Sequence, residues 1–98
     1  MTRPVRILRR AEDDLFEIHD YVGREAPEAA TRLFQKLPDR IEGLGRFSVG
    51  LSPRDERLRA RGYRVLVEGE YLIFYKDFRR HIRVYRVLHG KRKYWRLL

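Results

Sequence analysis

Apolar positions change their spacing along the chain, and each change marks out an element. Val5 and Ile7 alternate with polar neighbours, the period-two pattern of a short strand. From Ala11 the spacing turns helical: Ala11, Leu15, Ile18 and Val22 stand at i, i+4, i+7 and i+11, a stripe that Phe16 widens. Glu12, Asp13 and Asp14 fall in the first turn of this predicted helix, where carboxylates suit the positive end of the helix dipole, and Gly23 is placed to end it. Pro27 suits the first position of a second helix, whose stripe continues through Ala30, Leu33, Leu37, Ile41 and Leu44. Pro38 removes a backbone donor inside that helix and clashes with the preceding turn, so a kink or restart is expected there.

Gly45, Gly50, Pro53 and Gly62 interrupt the next stretch, which lacks a sustained apolar period and reads as a connection. Beyond it the pattern is strand-like: Tyr63 to Val67, Tyr71 to Tyr75 and Ile82 to Leu88 are rich in Val, Ile, Tyr and Phe. Glu68-Gly69 marks a tight hairpin between the first two, and a looser turn through Asp77 to Arg80 joins the third. The expected fold is α+β: a strand, a two-helix hairpin, then a three-stranded antiparallel meander, with the helices packed on one face of the sheet. At 98 residues the chain is expected to form a single domain over residues 1–98.

Charge changes this picture because it is unevenly placed. The formal net charge is +9. Residues 1–49 hold nine Lys and Arg against nine Asp and Glu, whereas residues 50–98 hold fourteen against five, so the whole excess lies on the meander and its surroundings. An apolar content of 43% is enough for a core and too high for a chain held open by its charge. The absence of cysteine excludes a disulfide framework, a thiolate metal site and a cysteine nucleophile, and makes the cytoplasm the expected compartment. The first residues carry arginines with no apolar run behind them, so no secretory leader is expected. The longest apolar run, Tyr71 to Tyr75, is far short of the roughly 20 residues of a membrane helix, and no membrane partner is expected.

Candidate chemistry is concentrated in the basic half. No glycine-rich phosphate loop, histidine pair at metal spacing or local Ser/His/Asp signature is present, so neither a metal nor a cofactor is expected. Strand alternation places Ile82, Val84 and Leu88 on one side of the last strand with Arg86, and Arg83, Tyr85 and Val87 on the other; Arg64 shares a parity with Leu66. An arginine aimed into an apolar face needs an anionic or carbonyl partner, which a phosphate, an acidic peptide or the chain's own Glu68, Glu70 or Asp77 would supply, unless it sits solvated at a strand end. Arg54, Arg57, Arg59 and Arg61 crowd the connection. Residues 91–96 mix Lys91, Arg92, Lys93 and Arg96 with Tyr94 and Trp95, a composition that suits a contact surface; alternatively Tyr94, Trp95, Leu97 and Leu98 fold back to close the core.

The helix opening Ala11-Glu12-Asp13-Asp14-Leu15 with Glu17, Ile18 and Tyr21, then Tyr63-Arg64-Val65, Tyr71-Leu72-Ile73-Phe74-Tyr75, Ile82 and Arg86-Val87-Leu88-His89-Gly90-Lys91-Arg92, resembles in order and spacing the ParE branch of the RelE/ParE toxin superfamily. The resemblance covers nearly the whole chain. It implies the toxin of a type II toxin-antitoxin system, acting on DNA gyrase to block replication, without catalytic residues of its own. It also implies a hetero-oligomer with a cognate antitoxin whose acidic, initially disordered segment wraps the toxin and is drawn in by the positive half. Leu15, Ile18, Val22, Leu33, Leu37, Arg64, Arg83 and Arg86 are the expected antitoxin contacts. Arg57, Arg59, Arg61, Lys91, Arg92, Lys93, Tyr94, Trp95 and Arg96 are the expected target contacts. The alternative within the superfamily is a RelE-like, ribosome-dependent mRNA endoribonuclease, for which Arg64, Arg86, His89, Arg92 and Tyr94 supply the proton acceptor and phosphate-binding cations. A non-toxic basic protein-binding module is the remaining alternative.

Overall fold

The computed structural model describes residues 2–91 and 96–98. The elements run in the order β1 (Val5–Ile7), α1 (Arg9–Glu25), α2 (Pro27–Gly43), α3 (Glu56–Ala60), β2 (Tyr63–Glu68), β3 (Tyr71–Asp77) and β4 (Ile82–His89). The strands form one sheet in the order β1-β4-β3-β2. The two meander pairings are antiparallel, as expected, while β1 joins β4 in parallel with Val5 opposite Ile82 and Ile7 opposite Val84. The β2–β3 hairpin turns through Gly69, whose φ of 57° lies in the left-handed region that glycine enters without strain.

Three helix expectations need correction. α1 begins at Arg9, two residues before its apolar stripe, so only Glu12 of the acidic triplet lies in the first turn. Asp14 is buried instead, because it stands three residues after Ala11 and four before Ile18, on the stripe itself. Gly23 does not end α1, which runs to Glu25 and hands over to α2 at Ala26. α2 runs through Pro38 without a restart. Pro38 is on the exposed side, while Leu37 and Ile41 are anchored in the core on either side of it, so tertiary packing outweighs the lost backbone bond.

α1 and α2 cover one face of the sheet. Ala11, Leu37, Ile41 and Leu44 meet Leu66, Ile73, Tyr75, Ile82, Val84 and Val87 there. A smaller cluster forms on the opposite face from Leu58, Tyr63, Phe74 and Leu88, with Leu97 and Leu98 packed against it. Val87 and Leu88 therefore sit opposite to where strict alternation puts them. The cause is a register shift between Phe74 and Tyr75: Tyr75 pairs with Val84 and Phe74 with Arg86, leaving Tyr85 as the extra residue of a bulge that reverses the parity of the rest of β4.

The connection before β2 is also more ordered than its breakers suggest. Asp55 caps α3 by accepting from the backbone N–H of Arg57 (2.9 Å) and Leu58 (3.3 Å), which lets Leu58 enter the second cluster. Leu51 exchanges two backbone hydrogen bonds of 2.8 Å with Val65, covering the middle of the β2 edge. Gly50 packs on the fully buried Tyr75, whose phenolic oxygen accepts from the Gly50 N–H at 2.8 Å and lies 3.0 Å from Ser48 Oγ. At the other end, Arg3 bonds the Asp77 carboxylate and donates to the Phe78 carbonyl (2.9 Å). Partial burial would raise the Asp77 carboxyl, but hydrogen bonds from Arg3 and Ser48 and the charges of Arg3 and Arg64 outweigh it and hold the group below the usual carboxylate value.

Removing the Tyr75 hydroxyl leaves a buried Gly50 N–H unsatisfied, so Tyr75→Phe is expected to lower unfolding free energy by about 1–3 kcal/mol in urea titrations. Gly50→Ala should cost more, since its Cβ would fall 2.4 Å from the Tyr75 oxygen. An unchanged midpoint for either variant would contradict this account.

Candidate functional site

β1 is only three residues long, so β4 continues past it with an open edge, and α1 lies along that edge. The Leu8 N–H bonds the Val84 carbonyl (3.0 Å), the last contact before the chain turns into the helix. Asp14 then takes the place of a neighbouring strand. Its Oδ2 accepts from the backbone N–H of Val87 at 2.9 Å, and its two oxygens accept from Arg86 Nε and Nη2, each at 2.8 Å. The hydrogen bond to Asp14 outweighs desolvation and raises the Arg86 guanidinium above its ordinary value. Arg86 Nη1 also donates to the Leu97 carbonyl at 3.2 Å, and Arg61 Nη1 to the Leu98 carbonyl at 3.1 Å, so two arginines hold the last residues of the chain.

Above this pair a groove of about 620 Å³ opens between α1 and the β3–β4 end of the sheet. Ile18, Tyr21, Val22, Tyr71 and Val87 give it an apolar floor, and Glu17, Glu25 and Glu70 line its rim. A second hollow shares Val22, Glu70 and Tyr71 with it and continues between the helices and the β2–β3 hairpin, past Leu33 to Arg32 and Lys36. The two make one trough along the helical hairpin. His89 lies at its end, 3.3 Å from Glu70, with its Nδ1 accepting from the Lys91 N–H at 3.1 Å.

The expected contact residues are distributed unevenly around this geometry. Ile18 and Val22 line the trough, Leu33 lines its extension, and Leu15 packs against the core beside it. Leu37 is fully buried and forms part of the core. Arg64 donates to the Gly50 carbonyl, and its Nε is buried with no hydrogen-bond partner among the described residues. Arg83 stands on the opposite face of the sheet, 3.4 Å from His81 Nε2 and 5.0 Å from the centre of the Phe78 ring. Arg57 pairs with Asp55 at 3.0 Å, Arg59 donates to the carbonyls of Pro53 and Arg54 at 2.8 Å, and Arg61 carries the α3 end to the C-terminus. Lys91 and Arg96 are exposed; Arg92, Lys93, Tyr94 and Trp95 lie outside the described residues.

Asp14, Tyr21, Glu70 and Tyr71 are site residues that sequence reasoning does not assign to the site. Asp14's position on the apolar stripe is the signal that could have found it. The ribonuclease set does not converge where it can be followed: Arg64 engages Gly50, Arg86 engages Asp14 and His89 engages Glu70. Among the described residues no group of three or more His, Asp or Glu is placed to hold a metal ion, and no helix is long and apolar enough to cross a membrane.

Residues 5–94 match the family model described as the ParE toxin of the type II toxin-antitoxin system parDE. Among solved structures the chain resembles one of the chromosomal ParDE toxin-antitoxin system from P. aeruginosa, with a TM-score of 0.77 and 18% identity over 92% of this chain and 98% of that one. It also resembles one of the toxin-antitoxin complex RelBE2 from Mycobacterium tuberculosis, with a TM-score of 0.60 and 19% identity over 91% and 99%. At these identities the likeness is one of fold. A comparison with curated protein sequences finds no match.

Asp14→Ala would leave the Arg86 charge and the Val87 N–H without their partner at a nearly dry edge, and is expected to destabilise the protein by about 3–5 kcal/mol. Arg86→Lys should recover only part of the native stability, since an ammonium cannot make the two-pronged bond. A loss below about 1 kcal/mol for Asp14→Ala in chemical denaturation would show that the pair is not structural.

Proposed function

Because the chain belongs to the ParE toxin family of type II toxin-antitoxin systems, we propose that it inhibits DNA gyrase in the cytoplasm and is held inactive by a cognate antitoxin lying in the trough along α1. The observation that carries the antitoxin part is the trough itself: an apolar floor of Ile18, Val22, Tyr71 and Val87, continuous with Leu33, on the face that the helices build. A segment unfolded when free would bury apolar side chains there and order on binding, which suits a short-lived inhibitor.

The rim refines the expected partner chemistry. Glu17 and Glu25 line the α1 end and Glu70 lies where the two hollows meet, while the far end holds Arg32 and Lys36 with Glu68, whose charge Arg40 pairs at 3.1 Å. The acidic residues of an antitoxin therefore belong beside Arg32 and Lys36, with apolar or basic ones at the α1 end. The target part of the reading is supported by family membership and by the exposed arginines of α3, which Arg61 brings next to the C-terminus. The ribonuclease alternative gains nothing from the separate partners of Arg64, Arg86 and His89.

The purified protein is expected to inhibit gyrase supercoiling of relaxed plasmid, and the co-expressed antitoxin to relieve the inhibition. No inhibition, together with cleavage of ribosome-bound mRNA at codon positions, would overturn the gyrase reading. Val22→Glu adds a carboxylate to the trough floor and should weaken antitoxin binding at least tenfold by calorimetry while leaving gyrase inhibition intact. Unchanged antitoxin affinity would move the inhibitor off this surface.

A further inference from the structure

The face of the sheet opposite α1 and α2, where Arg83 stands away from the trough, carries a feature that the proposed binding of an antitoxin in the trough does not use. The strand registers set Arg6 opposite Arg83, Arg83 opposite Lys76, and Lys76 opposite Tyr63. The side chains share one face: Val5, Ile7, Tyr75, Ile82 and Val84 pack toward the helices, so their neighbours Arg6, Lys76 and Arg83 point the other way. Neighbouring strands are about 4.8 Å apart, so three cations stand in a line about 10 Å long, running across the strands. Like charges directly opposite each other destabilise a sheet. Here two such juxtapositions are adjacent, and among the described residues none of the three cations is ion-paired.

The surroundings deepen the positive field. Asp77 is the sole acidic side chain after Glu70 in the sequence, and it is engaged by Arg3 on the other face. Arg79 and Arg80 are exposed in the turn beside the row. Burial, and then the charges of Arg6 and Arg83, hold the His81 imidazole below its ordinary value. Aromatic rings flank the cations: Lys76 Nζ is 4.5 Å from the centre of the Tyr63 ring and 5.1 Å from that of Tyr85, and Phe78 stacks on His81 at 4.8 Å. α3, Leu97 and Leu98 cover the Phe74 and Leu88 part of this face, while Tyr85, Lys76 and Arg83 stay half-buried and Arg6 exposed.

We propose that the row Arg6, Arg83 and Lys76, with the half-buried Tyr85 beside it, binds the phosphate backbone of a single-stranded nucleic acid. Cations beside a ring suit a strand whose phosphates pair with the charges while an unstacked base lies against the exposed part of Tyr85. A duplex keeps its bases away from such a ring. An acidic peptide gains nothing from the rings, and a row crossing three strands offers it no backbone edge to pair with. This binding is separate from the proposed action on gyrase and uses none of the trough.

The test is fluorescence anisotropy of the purified protein with labelled 15-mers of dT and of rU, without gyrase, so its failure and that of the gyrase reading are distinguishable. Three phosphate contacts on a single strand predict a salt slope of about −2 in log K against log salt. Arg6→Gln and Arg83→Gln should each weaken binding at least fivefold and flatten the slope. Arg9→Gln and Arg10→Gln, which remove the same charge from exposed positions on α1, should change it less than twofold. Arg6 is exposed and its side chain makes no hydrogen bond or ion pair among the described residues, so its variant tests the row even where Arg83→Gln or Lys76→Gln fails to fold. Tighter binding of either strand keeps the proposal and names its source. Equal losses in row and control variants, preference for duplex, or displacement of the oligonucleotide by polyglutamate at matched charge would overturn it.

Discussion

The carboxylate of Asp14 is the point on which the arrangement depends. It reaches across the open edge of β4 and takes three hydrogen bonds from two adjacent residues, a guanidinium and a backbone amide 72 and 73 positions away. Without an acceptor there, the Val87 N–H would be a buried donor at an edge that β1 is too short to cover, and a nearly buried Arg86 would have no counter-charge. Satisfying both fixes α1 along β4. That position in turn sets the width of the trough, whose floor is shared between the helix (Ile18, Tyr21, Val22) and the sheet (Tyr71, Val87). Arg86 passes the constraint on to the carbonyl of Leu97, so the first helix and the last residues of the chain are located by the same group.

The sequence makes the element order legible, and the reasons are local. Period-three and period-four spacing identify α1 and α2, and β-branched and aromatic runs identify the three meander strands to within two residues of their ends. What escapes is what depends on partners distant in sequence. α3 has no apolar period, being five residues long, and exists through the Asp55 cap and the burial of Leu58. Pro38 reads as a kink or restart, and the helix continues through it because Leu37 and Ile41 are anchored in the core, which propensity does not include. The bulge at Tyr85 is silent in the β4 sequence, yet it moves Val87 and Leu88 to opposite faces from those that alternation assigns. The same holds for the site. Ile18, Val22 and Leu33 are visible as stripe residues, whereas Glu70 and Tyr71 reach the trough through the sheet register.

The charge excess also acquires a direction. Beyond the excess that the sequence places after residue 49, the fold divides charge between the faces of the sheet: the helical face presents Glu17, Glu25 and Glu70 with Arg32 and Lys36 around an apolar floor, and the opposite face presents Arg6, Arg83 and Lys76 across three strands. The helical face therefore carries both signs around an apolar floor and the opposite face one sign beside aromatic rings, so the two faces suit different kinds of ligand without a change of shape.

The parallel pairing of β1 with β4 has a consequence in time. Val5 lies opposite Ile82, so the first strand of the chain finds its neighbour only when the last strand has been made. The meander can form as a local unit, but closing the sheet at β1 and seating Asp14 against Val87 require contacts spanning most of the chain, the kind that slows folding. During synthesis at about 5–20 residues per second, α1 and α2 are complete several seconds before the strand edge they lie on exists. The surfaces that depend on the closed sheet, trough and cationic row alike, are therefore acquired together and late.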